Sequence, residues 1–412
     1  MITKLNELYP GDSVEQEKRY QLLAKNFKKF FGYSKNVAYF SAPGRSEIGG
    51  NHTDHQNGCV LAAAVNLDIV ATAAKKDNNV VTLKSLEYTK YDVIDISNLD
   101  IVEGEKERSS ALIRGICARC KQLGFEVGGF DCYTMSSVLK GSGLSSSAAF
   151  EVLVVTVINH LYNDDKISAV QVAQIAQYAE NVYFGKPSGL LDQSASSVGG
   201  FTAIDFGDTA NPVFEQIAFD LHKYGHNLCV VDTGGNHADL TNEYAAIPKD
   251  MKAVAKYFGK EVLREVDEDE FYKNIKVLRE KLGDRPVLRA IHFFNDNKLA
   301  VEEAKALKAG DFELFKSYVT KSGLSSLANL QNVFCSVAPQ EQGLNIALTL
   351  SQKVLGAKGA CRVHGGGFAG TIQAYVPDEL LEEYKKEIEA VYGEGSCYVL
   401  SVRAAGGTKV EI

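Results

Sequence analysis

Between residues 139 and 162 a run of small and hydroxylated residues, LKGSGLSSSAAF, passes without a break into the apolar stretch EVLVVTVINHLY. The apolar stretch predicts a buried helix over Ser145 to Tyr162, and the glycines before it let the backbone fold tightly around its start. The first turn of a helix carries N–H groups with no partner inside the helix, together with the positive end of its dipole. Gly141, Ser142, Gly143, Leu144, Ser145, Ser146 and Ser147 gather at that point, more than serine capping alone requires, and suit it to hold the phosphates of a nucleotide. The hydroxyls also offer hard oxygen ligands to Mg²⁺, which needs few protein ligands where phosphates are present.

Other glycine-rich segments are less suited to that task. No G-x-x-x-x-G-K-[ST] occurs, so a P-loop is excluded. The run from His364 to Gly370, HGGGFAG, contains GxGxxG, but the following TIQAYV is β-branched and reads as a strand. A dinucleotide fingerprint needs a helix start there, so the run reads as a tight β-turn or as a bend where backbone comes close to a ligand.

Two further polar concentrations stand out. Ala42 to His55, APGRSEIGGNHTDH, packs donors and acceptors between strand-like segments, a density that calls for a ligand or a buried network. A metal site from His52, Asp54 and His55 would need a further ligand nearby, so a polar substrate read by several hydrogen bonds is the stronger expectation. In Glu180-Asn181 followed by GKPSGLLDQ, Asp192 is one carboxylate among small and apolar neighbours. It serves either the dipole of a helix start or a substrate proton.

Composition limits the rest. The net charge of 44 − 52 = −8 excludes a basic nucleic-acid clamp, and the length of 412 residues allows two to three domains with substantial cores. An acidic chain that binds an anionic nucleotide must concentrate dipoles, Mg²⁺ and a few cations at one place. No apolar run approaches the roughly 20 residues that span a bilayer, and MITKLNELYPGDS lacks the grammar of a secretory leader, so a cytoplasmic location is expected. The eight cysteines, scattered from Cys59 to Cys397 among apolar neighbours, read as buried reduced thiols. The CxxC of Cys117 and Cys120 lies on a helical stretch with nothing to complete a zinc site.

Helix and strand patterns alternate without repeat or linker. Helices are expected over Glu15 to Phe31, Ser168 to Tyr183, Leu190 to Val198 and Pro377 to Val391, and in DEDEFYKNIKVLREKL and LAVEEAKALKAG. Strands are expected in VAYFSA, which runs into a Gly-rich turn, and in LDIVATAA, NVVTLKS, FDCYTMSS, FTAIDF, LCVVDTG, GACRVH, TIQAYV and SCYVLSV. The organisation is α+β, with a boundary near residue 205.

Together, APGRSEIGGNHTDHQNG, LKGSGLSSSAA, ENVYFGKPSGLLDQ and VHGGGFAG, in this order, resemble the motifs of the GHMP small-molecule kinases, and most closely those of the galactose-specific members. The resemblance covers nearly the whole chain. It implies a two-domain GHMP kinase fold, residues 1–205 and 206–412, with the active site between the domains. It implies transfer of the γ-phosphoryl group of ATP to the anomeric hydroxyl of galactose, with Mg²⁺, and no nucleic-acid, membrane or obligate protein partner. Asp192 matches the catalytic carboxylate and Arg45 the arginine beside it. Ser146 and Ser147 match the Mg²⁺ and phosphate position, with Glu180 as second metal ligand. Asn51, His52, Asp54, Gly189 and Tyr244 match sugar-binding positions.

The chain also departs from the pattern. Where the family's usual run after the arginine is VNLIGEHTDY, this chain has SEIGGNHTDH, so Asn51 stands in place of a sugar-contacting Glu and Glu47 in place of an Asn. An amide keeps hydrogen bonding but loses charge-assisted acceptance. After Tyr244 the chain reads AAIP rather than NRR, and Leu139 replaces a proline. These changes keep open another sugar 1-kinase, acting on N-acetylgalactosamine, galacturonate or arabinose. A non-catalytic sugar sensor on the same fold is a rival of another class, and a metal-dependent hydrolase built on HTDH is a more distant one.

Overall fold

The structure, a computed structural model, describes residues 2–138, 143–186, 188–235 and 240–412, with Thr241 in backbone only. It is an α+β arrangement of two sheets flanked by helices. Strands of the first sheet are β1 (Ile2–Lys4), β2 (Val37–Gly49), β3 (Cys59–Lys75), β4 (Val80–Ser85), β5 (Tyr91–Asp95), β6 (Phe130–Ser136), β7 (Phe201–Asp205) and β8 (Val213–Ile217). The second sheet is built from β9 (His226–Asp232), β10 (Ala360–His364), β11 (Thr371–Pro377) and β12 (Cys397–Leu400), and β13 (Thr408–Glu411) returns to the first.

The long β3 organises the first sheet, whose order is β1-β13-β2-β3-β6-β4-β5. It pairs antiparallel with β2 along most of its length, with β6 through Ile69–Lys75 and with β7 through Cys59–Ala63. The expected turn in APGRSEIG is instead strand: β2 continues to Gly49, with register shifts between Pro43 and Arg45 and between Glu47 and Gly49. Pro43 cannot donate to a ladder, and a bulge re-aims the side chains that follow it. Dense Gly and Pro therefore mark two breaks in register here, one just before Arg45 and one just after Glu47.

The apolar stretch after the serines forms the helix Ser146–Asn163, whose Val152, Leu153, Val155 and Ile158 are buried with Phe40 of β2 and Leu61 of β3 in the main core. The second sheet is antiparallel throughout, in the order β10-β11-β9-β12. HGGGFAG is the turn of the β10–β11 hairpin, so a strand follows the glycines as expected. Two expected helices differ in detail. The Ser168 to Tyr183 pattern is the helix Ala169–Tyr178 followed by a widened π turn, Ala179–Phe184. DEDEFYKNIKVLREKL breaks at Asn274 into Glu268–Lys273 and Ile275–Leu282. All eight cysteines are free and buried, and no helix among the described residues is long and apolar enough to cross a membrane.

Candidate active site

Arg45 follows the first break in register of β2 with β3, and its backbone N–H donates to Leu144 O at 3.0 Å. Its guanidinium donates through Nε to Asp192 Oδ1 at 2.6 Å and through Nη1 to the carbonyl of Gly143. Asp192 lies in the first turn of the helix Leu191–Val198, with 34% of its side chain exposed against 11% for Arg45. The carboxylate is thus open to a ligand while its partner is covered. Burial alone would raise its pKa, but the charge and hydrogen bond of Arg45, the Ser145 hydroxyl and Lys186 outweigh it and hold the carboxyl below its ordinary value.

Ser145 precedes the helix Ser146–Asn163 in the left-handed region at φ 52°, and its hydroxyl donates to Asp192 Oδ2 rather than capping the helix. That helix start carries no side-chain cap, which leaves its first N–H groups for an anion. Gly143 cannot be another residue: its φ is +72°, and a Cβ would stand 2.9 Å from Thr371 Oγ1 and 3.1 Å from His364 Nδ1. Gly141 and Ser142 lie outside the described residues. His364 is buried, bridges Ser46 Oγ at 3.1 Å and Thr371 Oγ1 at 2.9 Å, and is kept neutral by burial, its pKa pushed down to about 3. Ser46, His364 and Thr371 were not singled out as site residues in the sequence, although VHGGG points to the second of them.

A second cluster surrounds the glycine turn of the β10–β11 hairpin. Three consecutive carbonyls are each met by a candidate sugar residue: Gly365 O by Asn51 Nδ2 at 2.7 Å, Gly366 O by His52 Nε2 at 3.1 Å, and Gly367 O by the Tyr244 hydroxyl at 3.0 Å. The Tyr244 ring lies on Gly366, where a Cβ would meet Cε1 at 2.5 Å, so this glycine is needed for the close approach. Burial pushes the His52 imidazole down to about 3. It is neutral, and since a carbonyl only accepts, its proton sits on Nε2. Asn51 departs from expectation: it is fully buried among protein groups rather than presented to a substrate.

Asp54 begins a short turn, Asp54–Gln56, where its Oδ1 accepts the N–H of His55 at 2.9 Å. Its other oxygen faces Gly189, where a Cβ would stand 2.6 Å away. Gly189→Ala is therefore expected to displace the Asp54 carboxylate and raise the KM for sugar by about 10-fold with the ATP KM unchanged, since small misplacements in a site carry large kinetic costs. Steady-state kinetics in both substrates checks this.

Glu47, just before the second break in register, accepts from Asn51 Nδ2 at 2.8 Å and from Arg362 Nη2 at 3.2 Å. Burial pushes its pKa up to about 7, against the opposing charges of Arg362 and Arg45. A folded pKa above the unfolded one, about 4.5, means that the folded protein binds the proton more tightly, so this group's contribution falls as pH rises between those values. Glu47→Gln is expected to flatten the slope of stability between pH 5 and 8, read by thermal unfolding.

Glu180 sits in the π turn, nearly fully buried. Its Oε1 takes Lys186 Nζ at 3.1 Å, and its Oε2 takes Ser188 Oγ at 2.6 Å and Gln193 Nε2 at 2.8 Å. Gln193 also reaches Glu151 Oε2 at 3.0 Å, one turn along the helix from Ser147. Glu151 Oε1 and Gln193 Oε1 are buried with no hydrogen-bond partner among the described residues. Ser147, Glu180 and these spare oxygens are hard donors of the kind Mg²⁺ takes beside phosphates, while no group of three or more His, Cys, Asp or Glu among the described residues is placed to hold a metal ion by itself. Lys186 and Gln193 were not read from the sequence, although both belong to FGKPSGLLDQ.

The pattern of the GHMP kinases N terminal domain matches residues 111–200, the segment holding the Ser146 helix start, Glu180 and Asp192. In that segment the chain is similar to the GHMP kinases. The galactokinase galactose-binding signature matches residues 25–75, which hold Arg45, His52 and Asp54. Galactokinase from Streptomyces coelicolor is 29% identical over 372 residues, 90% of this chain and 92% of that protein. The galactokinase of Actinobacillus pleuropneumoniae serotype 3 is 28% identical over 379 residues, 90% of this chain and 93% of that one. Among solved structures, Lactococcus lactis galactokinase complexed with galactose has a TM-score of 0.81 at 25% identity, covering 95% of this chain and 100% of that one. Methanococcus jannaschii mevalonate kinase shares the fold at 15% identity, with a TM-score of 0.62 over 90% of this chain and 99% of its own.

Proposed function

We propose that this chain is an ATP-dependent galactokinase that phosphorylates the anomeric hydroxyl of galactose, giving galactose 1-phosphate and ADP. The observation that carries the reading is the contact of one carboxylate, Asp192, with both Arg45 and Ser145 at an uncapped helix start. A proton acceptor, a cation and an anion cradle thereby share one place. The galactose-binding signature and the relatives named galactokinase support the choice of sugar.

In this reading His52, Asp54, Gly189 and Tyr244 surround the sugar, and the N–H groups and hydroxyls of Gly143, Leu144, Ser145, Ser146 and Ser147 hold the phosphates. Asp192 stays ionised, accepts the anomeric hydroxyl's hydrogen bond and takes its proton as the oxygen bonds to the γ-phosphorus and the bond to ADP breaks. A carboxylate with a lowered pKa is a weak base, but phosphoryl transfer through a loose transition state asks mainly for positioning and charge neutralisation. Arg45 orients Asp192 and offsets charge on the transferred group. Ser147 and Glu180 would hold Mg²⁺, which neutralises the phosphate charges when bound. Residues 1–205 and most of 206–412 act as two halves around the site, β8 and β13 of the second span pairing into the sheet of the first, and the enzyme works in the cytoplasm without an obligate protein partner.

The test is ADP release by the purified chain with ATP and Mg²⁺ in the presence of galactose, N-acetylgalactosamine, galacturonate or arabinose. Galactose is expected to give the highest kcat/KM. A chain that phosphorylates another of these sugars but not galactose overturns the choice of sugar, and one that binds sugar without releasing ADP overturns the kinase reading.

A further inference from the structure

Asn51 lies just beyond β2, and its own hydrogen bonds go to four separate segments of the chain. Its N–H donates to Asp296 Oδ2 at 2.6 Å, and its carbonyl accepts from His292 Nε2 at 2.8 Å, both on the helix Asp284–Ala309. Its side-chain Nδ2 donates to Glu47 Oε1 at 2.8 Å and to Gly365 O at 2.7 Å. Its Oδ1 accepts from Asn332 Nδ2 at 2.8 Å and from Ser326 Oγ at 3.2 Å. A primary amide has two donor hydrogens and two acceptor positions. All four are used, and the residue is fully buried.

We propose that Asn51 is a positioning residue, which clamps the loop carrying His52 and Asp54 onto the Gly365–Gly367 turn and the helix Asp284–Ala309 and makes no contact with the sugar. The chemistry of its partners explains the amide. Glu47 Oε1 and Gly365 O accept its two donor hydrogens, while Ser326 and the Asn332 amide demand an acceptor. A carboxylate at position 51 would set oxygen against oxygen at Gly365, whose carbonyl can only accept, and a longer amide has no room in a fully buried site. His52 follows directly, in the left-handed region at φ 60°, and bonds the next carbonyl of the same turn. Registry between loop and turn therefore passes from Asn51 to His52.

The inference rests on the kinase reading only for its kinetic readout. Asn51→Asp keeps the shape and removes both donors. It is expected to lower kcat/KM by about 10-fold or more, by the same factor for every sugar the protein accepts, with the ATP KM within about two-fold. Amide hydrogen exchange is expected to rise in residues 47–56 and in the hairpin turn 364–370. Ser326→Ala, which removes one bond of the clamp, is expected to give the same pattern at smaller size and covers the case in which Asn51→Asp fails to fold. A loss confined to sugars bearing one particular hydroxyl, with exchange unchanged, overturns the proposal because it marks a residue that reads the sugar. Unchanged kinetics and exchange also overturn it. If the wild type phosphorylates no sugar, the proposed function fails while the exchange result still decides the clamp.

Discussion

Asp192→Asn is expected to fold normally and to lose about 10²–10⁴-fold in kcat, the range typical of removing a positioned acid or base. The amide keeps the shape and can still accept from Arg45 through Oδ1, so the helix Leu191–Val198 retains its contact with β2. It has no charge, and its Nδ2 would meet the Ser145 hydroxyl where an oxygen now accepts. The pH profile adds a second check. Arg45 and Ser145 outweigh burial and hold the Asp192 carboxyl below the ordinary value of 3.8, so its protonation removes activity only on the far acid side. From pH 5 upward the wild type should show no acid limb from this group. Near-normal turnover by a folded Asp192→Asn protein removes the mechanism.

The largest effect on stability is expected at Gly49. A Cβ there would stand 1.7 Å from Glu303 Oε2 and 2.7 Å from its Cδ, and Glu303 is fully buried, so it has no open space to swing into. Gly49→Ala should cost about 3 kcal/mol or prevent folding, the upper end of overpacking costs. Adding Glu303→Ala to it should return part of the loss, as measured by denaturant unfolding. Glu303 itself is a liability. Neither of its carboxylate oxygens has a hydrogen-bond partner among the described residues, and burial pushes its pKa well up against the opposing charge of Arg362. The folded state therefore holds this proton more tightly than the unfolded state, and stability falls as pH rises from the unfolded value toward the raised folded one. Glu303→Met is expected to stabilise the protein at pH 8 by on the order of 2 kcal/mol, with the gain fading toward pH 5. A destabilised Glu303→Met protein at pH 8 would show that the carboxylate carries favourable interactions after all.

Much of the site was legible because its parts are local. GLSSSAA announces an anion cradle through small residues, hydroxyls and the apolar run that follows, and the helix Ser146–Asn163 forms there. Arg45 and Asp192, 147 positions apart, could be paired only by resemblance, and the structure puts them 2.6 Å apart. What escaped depends on long-range partners. Asn51 reads as a sugar contact when only its neighbours are considered, yet its partners Asp296, Ser326, Asn332 and Gly365 lie far along the chain. Ser145 reads as a phosphate ligand or cap, and nothing local says that its hydroxyl turns to Asp192. In APGRSEIG the density of Gly and Pro suggested a turn, because one sequence signal serves both turns and bulges.

The closing strand of the first sheet has a consequence for how the molecule can be made. β13 lies between β1 and β2, pairing parallel with one and antiparallel with the other, so residues 408–411 fill a place near the very start of the chain. On the ribosome that sheet stays open along β2 until almost all of these 412 residues have been synthesised. Loss of residues 408–411 would expose the unpaired ladder groups of Ser41 and Phe40 beside β2, a template for joining another chain.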